Sequence, residues 1–294
     1  MENNSRRLAI RNIAGSLVLA ASLPAFSKEA KDGKPKPKTM LKGNINHSVC
    51  RWCYDSTPFE ELCKAAKAMG IKSIDLTGPE DWPMMKKYGL HCAMPWGAGM
   101  GIEKGFNDVA NHAELFKSYE AHIPKVAAAG FDKLICFSGN RKSISDEQGL
   151  ENCAIGLKML LPIAEKYKVT LVMELLNSKV DHKDYQADHT AWGAALCDKL
   201  GSEYFKLLYD IYHMQIMEGD IIATINKYHK YIAHYHTGGV PGRNEIDERQ
   251  EIFYPAVMKA ILATGYKGYV AQEFIPKDAK PLESLRKSIA ICDI

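Results

Sequence analysis

Four residues of this chain stand where a short apolar run ends, and together they could hold one ion: Glu174 in VTLVMEL, Asp210 in FKLLYDI, His236 in YIAHYH and Glu273 in GYVAQEF. A buried carboxylate is costly unless it is paired or bound to a cation, and three of them side by side repel one another. Charge balance therefore asks for a divalent metal. Oxygen-rich ligation with one imidazole suits Mn²⁺ or Mg²⁺, with Co²⁺ as the alternative, and is unlike a structural zinc site of Cys and His. Close by, His213 lies three residues past Asp210, where it could touch a substrate oxygen. Arg243 follows the turn Val240-Pro241-Gly242 and could clamp a carboxylate with two parallel N–H groups. Asn177 and Lys179, just past Glu174, are weaker binding candidates, and Trp52 and Trp96 could wall a pocket. The remaining histidines, His182 and His234 among them, have no partner that spacing can name and read as packing or surface residues.

The elements that must position these groups repeat. Strand-like runs at 44–49, 72–77, 90–95, 132–138, 169–175, 205–211, 231–236 and 268–274 alternate with helical patterns such as 58–69, 111–129, 151–167, 190–200 and 254–263. Gly70, Gly130, Gly201 and Gly265 each stand between a helix and the next strand, where a left-handed C-cap is wanted. Strands alternating with helices demand a parallel sheet, and eight such units predict a single closed (β/α)₈ TIM barrel over residues 43–294. In such barrels chemistry sits at the C-terminal strand ends, which is where the four ligand candidates fall, on the fifth to eighth strands. No glycine-rich nucleotide fingerprint follows the first strand. The long segments 97–110, 176–189 and 237–253 are candidate active-site lids.

Ahead of the barrel, residues 1–27 read as an export signal. Ser5-Arg6-Arg7 is twin-arginine-like, 13–25 is an apolar stretch too short for a membrane anchor, and Ala25-Phe26-Ser27 is a small-x-small cleavage site. The expected destination is the periplasm. Residues 28–42, with six Lys and two Pro, form a solvated tether. The 294-residue chain carries a formal +3, but residues 1–38 contain eight Lys/Arg against three acids, so the body after Lys38 is at −2. Such a body has no charge with which to grip nucleic acid. Eight cysteines are scattered through apolar runs, and Cys50-Arg-Trp-Cys53 is a lone CxxC; both are read as packing.

The segments Asp210-Ile-Tyr-His-Met-Gln-Ile-Met-Glu-Gly-Asp220, Val240-Pro-Gly-Arg-Asn-Glu245 and Glu174-x-x-Asn-Ser resemble the hydroxypyruvate isomerase family within the xylose-isomerase-like TIM barrels. That resemblance implies Glu174, Asp210, His236 and Glu273 as metal ligands, Glu174 and Glu273 as the acid/base pair, and His213 and Arg243 as substrate contacts. It implies isomerisation of a small hydroxycarbonyl compound, of the hydroxypyruvate/tartronate semialdehyde type, through an enediolate. His236 stands where these isomerases often have Gln, and Asn244 where they often have His, so fold and chemistry carry over better than substrate. Two other readings stay open: a ketose or keto-sugar 3-epimerase or isomerase acting outside the cytoplasm, and a non-catalytic carbohydrate-binding barrel.

Overall fold

The computed structural model describes residues 41–294. The leader and nearly all of the tether lie outside the described residues. Leu41 already packs against the core, and the Lys42 backbone N–H donates to Asp293 Oδ2 at 2.8 Å.

Seven parallel strands form one curled sheet: β1 Asn46–Cys50, β2 Ser73–Asp75, β3 Lys133–Cys136, β4 Thr170–Leu175, β5 Phe205–Asp210, β6 Ile232–Thr237 and β7 Tyr269–Gln272. Their order is β2-β1-β7-β6-β5-β4-β3. The segment expected as a strand at 90–95 is instead irregular, with a single parallel bridge between Ser73 and His91. It still closes the ring. Ile74 and Leu76 donate to the carbonyls of His91 and Met94 on one side, and Ile135 donates to Pro95 on the other. Pro95 has no N–H to give, which interrupts a regular ladder at that point. The four ligand candidates therefore lie on β4, β5, β6 and just past β7.

The helices on the outside are α1 Phe59–Met69, α2 Trp82–Lys87, α3 His112–Ala128, α4 Asp146–Tyr167, α5 Thr190–Leu200, α6 Ile211–Met217, α7 Ile221–Tyr228, α8 Tyr254–Ala263 and α9 Pro281–Cys292. Gly70 and Gly201 cap α1 and α5 at φ 86° and 59°, a region that costs a side-chain-bearing residue about 1 kcal/mol or more. Helix α4 starts five residues before the expected 151. Ser145 explains it: its hydroxyl accepts from the Gln148 N–H at 3.2 Å, and Asp146 and Glu147 follow in the first turn.

Strand interiors are apolar on both faces, as expected where helices cover one side and barrel layers fill the other. Leu171, Val172 and Met173 of β4 and Leu207, Leu208 and Tyr209 of β5 are fully buried. That packing fixes the strand tips. No described helix is long and apolar enough to cross a membrane.

Candidate active site

Each ligand candidate is held by its strand and turned inward. Glu174, Asp210, His236 and Glu273 are all buried, and one donor atom from each lies within 4.8 Å of every other. An ion bound at about 2.1 Å from each donor would set them on the order of 3–4 Å apart, so only a small contraction separates this cluster from a coordination shell. Asp210 has two duties. Its Oδ1 caps α6 by accepting from the Tyr212 N–H at 2.8 Å, which leaves Oδ2 facing the cluster. His236 presents Nδ1 to the centre, 2.6 Å from Glu273 Oε2 and 3.4 Å from Glu174 Oε1.

The electrostatics favour a cation. Burial pushes Asp210 up to about 8 despite the Arg243 guanidinium beside it, so the neutral and charged forms of this carboxyl lie close in energy. Burial also raises Glu273, but Arg243 and His236 outweigh it and hold that carboxyl well below the usual range. Arg243 Nη2 reaches Glu273 Oε2 at 2.6 Å and Asp210 Oδ2 at 3.0 Å, with its guanidinium 5.3 Å from the ring centres of both Trp52 and Tyr212. A positive group thus already sits against two of the ligand carboxylates. Glu174 Oε1 is buried without a hydrogen-bond partner among the described residues. An orphaned carboxylate oxygen in a set of three carboxylates and one imidazole is a donor set that fits a divalent cation.

His213 is also brought to the cluster. The Asn177 backbone N–H and side-chain amide both point at its Nδ1, at 3.2 and 2.7 Å, so the ring proton sits on Nε2. That Nε2 is 3.6 Å from Asp210 Oδ2 and has no hydrogen-bond partner among the described residues. Burial, then the nearby Arg243, holds the imidazole well below its ordinary value. The site therefore contains a neutral histidine with one N–H free to donate.

Asn177 itself is a correction. Rather than facing the cavity, its side chain holds His213 and Asp181, while its Oδ1 accepts from the N–H groups of Val180 and Asp181 at 3.0 and 2.9 Å. An Asn followed by such a turn satisfies its own loop first. Lys179 likewise points away and binds the Ile216 and Met217 carbonyls at the end of α6. Segment 176–189 is pinned at Tyr185, whose hydroxyl donates to the Glu174 carbonyl at 2.9 Å and accepts from the Ser138 N–H at 3.0 Å. Trp96 is where the sequence puts it, lining a cavity of about 420 Å³ above the cluster. Trp52 lines it too, and its indole N–H fixes Glu273 Oε1 at 2.7 Å. Leu76, Ile102, Ile135 and Phe137 complete an apolar wall facing Glu174, Arg243 and Glu273.

Three contributors escaped sequence reasoning. Asp75, at the tip of β2, is fully buried behind His236, accepting from the Ser48 and Ser73 hydroxyls at 2.6 and 3.0 Å and pairing with His234 Nε2 at 2.6 Å. His236 Nε2 faces this group, 3.8 Å from Asp75 Oδ2 and 3.7 Å from Cys50 Sγ. The signal was present: Asp75 also ends an apolar run, and His234 lies two residues from His236, on the same strand face. His182 packs at a tilt against His213, ring centres 5.3 Å apart, and lines the cavity; no local pattern marks it. All eight cysteines are free thiols, seven of them buried.

Comparison with known proteins agrees with this geometry. The chain is 27% identical over 252 residues to hydroxypyruvate isomerase of Escherichia coli, covering 81% of this chain and 95% of that one. It is 25% identical over 227 residues to a human putative hydroxypyruvate isomerase, covering 77% and 78%. In fold it is similar to a Brucella melitensis protein described as an AP endonuclease of family 2, at TM-score 0.72 and 20% identity over 82% of this chain and 97% of that one. The sequence profile of one family matches residues 63–292, and with the barrel and its strand-tip cluster in place the chain belongs to the xylose isomerase-like TIM barrel family.

Proposed function

We propose that this protein is a metal-dependent isomerase of small hydroxycarbonyl compounds, working by proton transfer between neighbouring carbons. One observation carries the reading: four donor atoms from consecutive strand tips lie within 4.8 Å of one another beneath a cavity with room for substrate. The relatives named hydroxypyruvate isomerase support it. Glu174, Asp210, His236 and Glu273 would hold the cation, with Mn²⁺ or Mg²⁺ best suited to the donors. Such an ion supplies Lewis-acid stabilisation of negative charge developing on adjacent oxygens, a contribution of several kcal/mol.

The chain's own groups do the rest. Glu174 accepts no hydrogen bond from the described residues, whereas Glu273 is fixed by Trp52, His236 and Arg243. Glu174 lines the cavity with its Oε1 held by no hydrogen-bond donor among the described residues, and it takes the proton beside the carbonyl. Glu273, rigidly placed, takes the hydroxyl proton from the same carbon and passes it to the neighbouring carbon, while the proton on Glu174 goes to the former carbonyl oxygen. His213 Nε2–H donates to a substrate oxygen, and the wall of Trp52, Trp96 and Phe137 keeps water from the enediolate. Glu174→Gln and Glu273→Gln test this. Each should keep the fold by circular dichroism and lose deuterium exchange between substrate and solvent, and undiminished exchange in both would sink the reading.

A second reading, a keto-sugar epimerase using the same residues, is favoured by two observations. The cavity of about 420 Å³ holds roughly fourteen waters' worth of volume, and a three-carbon acid has about half as many heavy atoms. Arg243 Nη2 is already bound to Asp210 and Glu273, which leaves only the other N–H groups of the guanidinium for a substrate carboxylate. A screen of hydroxypyruvate against neutral ketoses separates the two. On the pattern of residues 1–27 we further propose periplasmic delivery by a twin-arginine-type route, tested by fractionating cells that carry Arg6→Lys/Arg7→Lys.

A further inference from the structure

Outside the catalytic cavity lies a second, larger hollow of about 730 Å³. The two share Trp96, Ile102 and His182 as a common collar, so a ligand seated on the strand tips can continue outward without leaving the protein. The outer hollow differs in character. Beyond the collar its wall carries Glu103 and Asp181 against Lys104 and Lys183, together with the Asn140 amide. Two acids and two lysines cancel, so this wall does not select an anion such as a phosphate. Asp181 is occupied by Asn177 and Tyr212. The charged ends of Glu103, Lys104 and Lys183 form no hydrogen bond or ion pair among the described residues and are open to a ligand. At the collar, Trp96 is 37% exposed and is braced by Phe137 at 5.5 Å between ring centres, which gives a rigid indole face open to the hollow.

Mixed donors and acceptors of zero net charge beside an indole face suit a neutral polyhydroxylated group, whose hydroxyls both donate and accept while its C–H face lies on the ring. Volume agrees. The inner cavity suits one sugar unit of about twelve heavy atoms, and the outer one has room for another with space left over. We infer that the outer hollow is a binding site for a second, neutral sugar unit, so that the substrate is a hydroxycarbonyl sugar carrying a glycosyl group rather than a free three-carbon acid. This rests on the proposed function only for the reacting end. The outer site depends on shape and polarity alone.

The test uses the full chain loaded with Mn²⁺ and two neutral probes, fructose and maltulose, the latter a ketose bearing one glucosyl unit. Binding is followed by tryptophan fluorescence, and deuterium wash-in is followed separately. Maltulose should bind at least about tenfold tighter than fructose. In the surface double variant Glu103→Ala/Lys104→Ala that ratio should fall towards one. Equal binding by the unaltered protein, a ratio untouched by the double variant, or no binding of either sugar overturns the inference. Tight maltulose binding without exchange of either sugar would leave the outer site standing and remove the isomerase reading. Exchange of fructose with equal affinities would do the reverse.

Discussion

The two halves of the barrel mouth do different work. From β4 round to β7 the strand tips are polar: Glu174, Asp210, His236 and Glu273 converge, with His213 arriving from α6, directly after β5, and Arg243 from the loop that follows β6. From β1 through β3 the tips give an apolar and aromatic wall of Trp52, Leu76, Trp96, Ile135 and Phe137. One arc concentrates buried charged groups; the other presents an apolar and aromatic surface. Both rest on the same buried strand cores, so chemistry and substrate fit can vary separately on one scaffold. The regular ladder follows the same division. β4 to β7 pair continuously, apart from one register shift between Leu207 and Leu208, whereas the wall includes the irregular segment at 90–95. Groups that must meet within an ångström or so sit on the stiffer arc.

The sharpest way to break this division is to change the proposed acid/base pair, Glu174 and Glu273. Glu174→Gln should lower turnover about 10²- to 10⁴-fold with little change in thermal stability, whereas Glu273→Gln should lower turnover as far and also lower Tm, because it breaks the buried pairs with Arg243 and His236; both are read as solvent exchange beside a melting curve. Next in size is Arg243→Met. In protein stripped by a chelator it removes the guanidinium that two buried carboxylates share and leaves His236 as their remaining positive neighbour, a loss of about 3 kcal/mol or more. Thermal unfolding should show a clear drop in Tm that added Mn²⁺ largely restores; an unchanged Tm would mean that Arg243 carries no charge balance. Asp75→Asn tests whether the polar arc extends behind His236. Outer partners of a ligating histidine are typically worth 10- to 100-fold in metal affinity, so Mn²⁺ titration should show a weakening of about that size. Circular dichroism should stay unchanged, and Asp75→Glu should recover part of the loss. The smallest effect belongs to the wall. Trp96→Ala should raise KM severalfold, in keeping with about 1 kcal/mol for an aromatic contact, at nearly constant kcat. A collapse of kcat in that variant would erase the distinction between the arcs.

Much of this was legible in the residues. An apolar run that ends in Glu, Asp or His points to a strand tip, and four such runs in succession pointed to the four side chains that the barrel brings together. Glycine after a helix announced the caps at Gly70 and Gly201. Elsewhere the same reading failed for definable reasons. Run 90–95 has strand composition, but Pro95 and its two dissimilar neighbours leave it irregular. Asn177 carries the right chemistry in the right loop, yet a turn inside that loop uses its amide and carbonyl first. His182 lies in a loop with no period to mark it.

The sequence by itself determined which residues end strands and which helices must cap, because propensity, alternation and capping act over a few neighbouring residues. Only the tertiary structure decided partnership. Asp75 reaches His234 across 159 positions of chain, and Arg243 meets Asp210 across 33, because the sheet curls until its tips converge. Curvature of that kind arises from strand twist and helix packing summed over the whole barrel. No short stretch of residues contains it.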